Sequence, residues 1–384
     1  MLIYIYFFCF CFCSLIGNCK YNMLKKLRIL TFLLIIATIC FLTRTSIKQN
    51  SLYAIDFLID KSLIFNSLNE EDIDSQYKDF PITDDYNHTE NKILSAVMQQ
   101  GNGILFVETT DRMDEPSLVL CSIESAARMY PDRPVVFFMK GLEDIVTDDD
   151  EKKARKRYPT LSIYKNIYFL PLRLEKLFAN TPFLPWYKKV NPHREVFWTH
   201  VKSDACRFAL MWKYGGIYMD TDVISIRRIP EDNFLAAETF STTSSSVFGL
   251  SSYHTLTWEF MENFVQNYRG SKWGHQGPGV FTRVVNKHCG VPKFIYIDHT
   301  KCANVSYFHP ERFYPILYPS WKRYFEVWSK LPTFKNSFAL HLWNYMNDEK
   351  ETMVPRTNTL VEHLYQQYCP STYDAILNSK ATYV

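Results

Sequence analysis

The sequence predicts an α/β domain in which a mostly parallel sheet is flanked by helices. Three observations predict it. Strand-like and helix-like runs alternate from residue 103, a long amphipathic helix is stopped by Gly215-Gly216, and a short apolar strand follows and ends in Asp220-Thr221-Asp222. The composition agrees: 47% hydrophobic and 22% charged residues in a chain of 384 leave ample apolar surface for one large domain.

Residues 103–109 form a buried-strand run, residues 116–129 carry helical spacing with Pro116 in the first turn, and residues 134–139 form a second strand run. This is a β-α-β unit. A polar, charged segment continues through Arg157, followed by a third strand over residues 167–170 and a short helix over residues 172–179. Residues 196–214 make the long helix, with Val201, Ala205, Phe208, Met211 and Trp212 on its inner face. Gly215 and Gly216 end it as a left-handed C-terminal glycine does, and Ile217-Tyr218-Met219 is the next buried strand. Further helices are expected over residues 255–268 and from near residue 279, with His275 and Gln276 in the loop between them. Residues 232–252 are rich in serine and threonine and are expected to loop near the site.

The N-terminal region reads differently. Residues 1–22 are an apolar extension of uncertain role, residues 23–45 a signal anchor, residues 46–95 a polar stem, and residues 96–384 the lumenal catalytic domain. Within that domain, a first half covers about residues 100–230 and a second, C-terminal half about residues 231–375. About 17 residues suffice to span a bilayer, a length that residues 27–43 reach if Arg28 snorkels to the headgroups. Lys25, Lys26 and Arg28 would stay cytoplasmic, a type II orientation; a cleaved signal peptide is the competing reading. All six basic residues among the first 48 (Lys20, Lys25, Lys26, Arg28, Arg44 and Lys48) lie without an acid among them, so a net charge of +3 becomes −3 for the remainder. That mild acidity lacks the basic footprint of a nucleic-acid binder. Sequons stand at Asn87 and Asn304. Of the five cysteines in the body, Cys121 and Cys206 are expected as buried thiols and Cys289 with Cys302 as a disulfide.

The chemistry gathers at Asp220-Thr221-Asp222. In a parallel sheet, ligands collect beyond the carboxyl ends of the strands, and two carboxylates there can hold Mn²⁺ or Mg²⁺ and leave positions for diphosphate oxygens. Ser203-Asp204-Ala205-Cys206-Arg207 together with Gly215-Gly216-Ile217-Tyr218-Met219-Asp220-Thr221-Asp222 resembles the donor site of sugar-nucleotide transferases of the DXD class with a GT-A fold. Phe106 to Arg112, Cys121 to Arg128, Trp273-Gly274-His275-Gln276-Gly277-Pro278, His341-Leu342-Trp343-Asn344 and Tyr368-Cys369-Pro370 are similar to blocks of the α1,4-glycosyltransferase family.

The resemblance implies a retaining enzyme of the Golgi membrane that moves a hexose or N-acetylhexosamine from a UDP-sugar to a glycolipid acceptor. A glycoprotein glycan is the alternative acceptor. On it, Asp220, Asp222 and His341 would bind the metal; Glu108, Thr109, Asp204 and Arg207 would contact the donor; and Arg207, His275 and Gln276 would face the catalytic centre. Bland readings stand beside these: a surface ion pair for Asp204 and Arg207, a core histidine for His341, and a simple turn around His275. Two other classes remain as alternatives. A haloacid-dehalogenase phosphatase also begins with acids after a strand, but its motif sits near the first strand of its domain. A non-catalytic, lectin-like protein would retain the fold without turnover.

Overall fold

The computed structural model describes residues 94, 97–290, 293–302 and 304–378. The apolar extension, the anchor, nearly all of the stem and the Asn87 sequon lie outside the described residues. No helix among the described residues is long and apolar enough to cross a membrane.

The expected β-α-β unit is present as β1 (Ile104–Glu108), α1 (Ser117–Met129) and β2 (Val135–Met139). The charged segment is a helix, α2 (Asp148–Arg157), followed by α3 (Pro159–Ser162) and β3 (Ile167–Pro171). Its polarity suits a helix for a physical reason. Thr147 and Asp150 form a capping box, with acids in the first turn and Arg155, Lys156 and Arg157 in the last, each sign opposing the helix dipole. Next come α4 (Leu174–Phe178), α5 (Phe183–Lys189) and α6 (Trp198–Tyr214). Strands β1, β2 and β3 pair in parallel, with Ile104 opposite Val135 and Val135 opposite Ile167. Helices cover both faces, so the strands are continuous apolar runs whose alternate residues enter two different cores. Ile104, Phe106, Val135 and Phe137 pack with α1, whereas Leu105, Val107, Val136 and Phe138 pack with α6. On α6, Phe208 is fully buried among Phe183, Phe248, Phe260, Phe264 and Phe281, at ring-centroid distances between 5.1 and 6.5 Å. This cluster absorbs part of the aromatic residues that make up 16% of the chain.

Gly216 opens β4 (Gly216–Met219) with φ 99°, and a Cβ there would lie 2.2 Å from the carbonyl oxygen of Gly103. Only glycine lets β4 enter the sheet beside β1, where Ile217 pairs in parallel with Ile104. The remaining elements are β5 (Val223–Ser225), β6 (Phe234–Ala236), β7 (Val247–Leu250), α7 (Thr255–Gln266), α8 (Pro278–Cys289), β8 (Thr300–Cys302), β9 (Val305–Phe308), β10 (Ala339–His341), α9 (Leu360–Tyr368) and α10 (Pro370–Asn378). The main sheet has eight strands in the order β3-β2-β1-β4-β7-β6-β9-β8. It is parallel through β4 and mixed beyond, because β7 runs antiparallel to both β4 and β6, and β8 to β9. A separate antiparallel pair joins β10 to β5.

The cysteine expectations divide. Cys289 pairs with Cys302, as expected, and Cys206 is a buried free thiol. Cys121 is not free: it is bonded to Cys369, 248 residues away, because its face of α1 meets the junction of α9 and α10. One turn along α1, the fully buried carboxylate of Glu124 accepts from the N–H groups of Ser371 and Thr372 and from the hydroxyls of Thr372 and Tyr164, at 2.6–2.8 Å. A carboxylate on the first turn of α10 satisfies donors the helix cannot satisfy itself. Two blocks far apart in sequence thus form one structural pin.

Candidate metal and donor site

At the carboxyl end of β4 the chain turns, and the N–H of Asp220 donates to the carbonyl of Ser246 at 2.8 Å. The Tyr218 hydroxyl, two residues earlier on the same face of the strand, donates to Asp220 Oδ1 at 2.7 Å. Burial, reinforced by Asp220, holds that hydroxyl well above its ordinary pKa, so it remains a donor.

His341 reaches this turn through strand pairing. Antiparallel β10 places it opposite Val223, the residue after Asp222, and the N–H of Leu342 donates to the Asp222 carbonyl at 2.9 Å. Trp343 then takes a left-handed conformation, φ 57°, which swings the N–H of Asn344 back onto Asp222 Oδ2 at 2.9 Å. A bulky residue in that region marks backbone held by its surroundings, here by the Trp343 indole N–H bonded to the Ile316 carbonyl at 2.7 Å. His341 Nε2 lies 3.4 Å from Asp222 Oδ1, and one ligand atom from each of Asp220, Asp222 and His341 falls within 4.8 Å of the others. The buried His341 Nδ1 has no hydrogen-bond partner among the described residues. Two carboxylates and an imidazole with an unpartnered Nδ1 are a donor set that could hold a divalent cation.

Behind Asp220 lies Arg207, 6% exposed. Its Nη1 donates to the Ser245 carbonyl at 2.7 Å and lies 3.3 Å from Asp220 Oδ1, while Nη2 lies 3.3 Å from Asp204 Oδ1. Burial disfavours the guanidinium charge, but Asp220, Tyr218 and Asp204 outweigh it. Asp204 is pushed up to about 7, by burial against the pull of Arg207. The pair on α6 is therefore a buried bridge to the Asp-x-Asp turn rather than a surface ion pair. The serine-rich block supplies its far wall through Ser244, Ser245 and Ser246.

The other expected site residues lie around this cluster in different ways. Glu108 and Thr109 stand at the end of β1, the parallel neighbour of β4, where the sheet places donor contacts. The Glu108 carboxylate accepts from the Thr110 N–H at 2.7 Å and pairs with Arg112. The Thr109 side chain has no hydrogen bond among the described residues. Gln276 is 1% exposed, with Oε1 accepting from the Arg269 N–H at 2.9 Å and Nε2 donating to the Phe264 carbonyl at 2.8 Å. His275 Nε2 lies 3.0 Å from the Asn267 carbonyl oxygen. Both side chains are engaged by the end of α7 and the loop that follows it. What the loop does bring to the site is backbone: a Cβ on Gly277 would lie 2.4 Å from Asp204 Oδ1.

Several participants were not anticipated. Tyr218 was legible in principle, since residues two apart on a strand share a face. Asn344 and Glu238 were not. Glu238, just past β6, is half-buried with its N–H donating to the Thr242 carbonyl at 2.9 Å, and its carboxyl lies within electrostatic reach of His341. Burial raises its carboxyl above the ordinary range, opposed by His341.

Comparison with known proteins agrees with this site. The chain matches the glycosyltransferase sugar-binding region containing a DXD motif over residues 116–241 and the alpha 1,4-glycosyltransferase conserved region over residues 249–376. It is 48% identical over 283 residues to alpha-1,4-N-acetylglucosaminyltransferase of Homo sapiens, spanning 73% of this chain and 82% of the relative. Lactosylceramide 4-alpha-galactosyltransferase is 35% identical over 277 residues in Homo sapiens (71% of this chain, 77% of the relative) and 36% over 284 residues in Mus musculus (73% and 77%). With matches on both sides of the Asp-x-Asp turn and relatives covered over most of their length, the chain belongs to the α1,4-glycosyltransferase family and is a sugar-transferring enzyme.

Proposed function

We propose that this chain is a metal-dependent retaining transferase that moves an α-linked hexose or N-acetylhexosamine from a UDP-sugar to a terminal galactose-type sugar of a glycosphingolipid. The product linkage is α1,4, and the enzyme works in the Golgi lumen from a type II anchor. The observation that carries this reading is the convergence of Asp220, Asp222 and His341 at the end of β4 with Arg207 behind them. The parallel β3-β2-β1-β4 half ending in these acids supports a GT-A arrangement.

Asp220, Asp222 and His341 would hold Mn²⁺ or Mg²⁺, which when bound offsets the charge on a departing diphosphate. The residues of the chain hold this set in place. Tyr218 and the Asn344 N–H orient the two carboxylates, and Arg207 adds fixed positive charge behind them. The acceptor hydroxyl oxygen bonds to the anomeric carbon as the carbon–oxygen bond to UDP breaks on the same face, and its proton passes to the departing phosphate oxygen. Catalysis is then chiefly positioning.

The test uses the full chain in detergent with lactosylceramide and Mn²⁺, offering UDP-galactose, UDP-N-acetylgalactosamine and UDP-N-acetylglucosamine separately. The expected result is transfer from one donor, lost on chelation and restored by Mn²⁺. Transfer that survives chelation would remove the metal from the mechanism, and silence from all three donors without UDP binding would remove the donor site.

A further inference from the structure

Three segments that reach the metal and donor site each carry an aromatic ring to one place outside it. Trp273 and Tyr345 stack nearly parallel, with ring centroids 3.7 Å apart and 11° between their planes. His200 meets both edge-on, at 4.6 Å from Trp273 and 5.0 Å from Tyr345. Large rings in a folded domain ordinarily go to the core, yet Trp273 is 44% and Tyr345 49% exposed. Among the described residues, Tyr345 has no ring neighbour besides these two, and about half of it stays open to solvent.

Each ring is tied to the site by a separate route. His200 lies one helical turn before Asp204 on α6, within electrostatic reach of Arg207 and Asp220. Tyr345 follows Asn344, whose N–H holds the Asp222 carboxylate. Trp273 begins the loop that ends in Gly277 against Asp204. The platform therefore stands beside the metal and donor site. It carries no carboxylate or guanidinium of its own, so the ligand it suits is neutral.

We propose that Tyr345, backed by Trp273 and flanked by His200, is the acceptor subsite, binding the apolar face of the terminal pyranose. A galactose-type sugar has one face of C–H groups and one edge of hydroxyls, which matches a flat ring bordered by a phenol and an imidazole. This assignment rests on the transfer reaction proposed above, and it names where the second substrate sits.

The test compares wild type, Tyr345→Ala and Tyr345→Phe as full-length protein in detergent, with methyl β-lactoside as the probe. Saturation-transfer NMR with UDP and Mn²⁺ present reads sugar binding without turnover, and acceptor KM is measured with the active donor. Loss of the aromatic contact should raise acceptor KM about tenfold, with kcat changed less than about twofold. The saturation signal of the galactose C–H face should vanish in Tyr345→Ala and return in Tyr345→Phe. UDP affinity should match wild type in both, which reports that they fold. An unchanged acceptor KM in Tyr345→Ala overturns the subsite and leaves the transfer reading standing. Saturation that depends on Tyr345 in a protein that transfers nothing supports the subsite and overturns the transfer reading. Absence of saturation in wild type overturns the subsite.

Discussion

Glu124 and the acids around Asp220 are both buried carboxylate centres set against elements of the same sheet, and they are satisfied in opposite ways. Glu124 accepts from four protein donors, so nothing is left for a ligand. At the metal and donor site, His341 Nδ1 and Arg207 Nε have no hydrogen-bond partner among the described residues, and the Glu238 carboxyl lies within electrostatic reach of His341. Leaving buried polar groups unmatched costs stability, so a fold keeps them where a ligand completes them. What separates them is convergence: Asp220 and Asp222 each accept a hydrogen bond and still meet His341 within 4.8 Å, whereas Glu124 meets only donors.

The sharpest way to break that contrast is to neutralise one acid on each side. Asp222→Asn keeps an oxygen for the Asn344 N–H but removes the charge, so transfer should fall roughly 10²–10³-fold, the scale of losing one electrostatic stabiliser, with little change in the unfolding midpoint. Near-normal turnover in a donor-to-acceptor assay would sink the metal assignment. Glu124→Ala should act the other way, lowering unfolding free energy by about 2–4 kcal/mol as the donors on α10 lose their acceptor, while UDP affinity of the folded protein is unchanged. Denaturant titration beside UDP binding separates the two effects. A loss below about 0.5 kcal/mol would mean that the Cys121–Cys369 bond alone holds the junction.

Glu115 sharpens the contrast from outside the acid cluster: its buried carboxylate has no well-aligned hydrogen bond among the described residues, and Oε2 lies 3.2 Å from Arg112 Nε. Burial pushes its carboxyl up to about 7 against the pull of Arg112. Its folded pKa lies above the unfolded value of 4.5, so the folded state binds the extra proton between those values. Its contribution is fully present below the unfolded pKa and is lost as pH rises through 7. Glu115→Gln should therefore gain on wild type at pH 8 by roughly 1–2 kcal/mol and show no gain at pH 4. Parallel melts at the two pH values check this, and an equal difference at both would refute the assignment.

Legibility followed the range of the interaction involved. The β-α-β unit, α6, its glycine stop and the Asp-x-Asp turn were readable because hydrophobic period, helix termination and the spacing of two acids are local properties. The Cys289–Cys302 bond closes a short loop and was readable for the same reason. By contrast, Cys121, inside a helical run, was expected as a free thiol because its partner lies 248 residues along the chain. Gln276 sat in a loop whose glycines suggested a site, and its amide found one main-chain partner on α7 and one in that loop.

By itself, then, the sequence determined which segments become strands and helices, and that two carboxylates would stand at a strand end with Arg207 and Asp204 on the preceding helix. Only the tertiary structure decided what completes them. His341 joins Asp222 through the pairing of β10 with β5, Asn344 through a left-handed turn at Trp343, and His200, Trp273 and Tyr345 meet from three separate segments. Periodicity encodes which face of an element is buried, but which distant element covers that face follows from sheet order and packing.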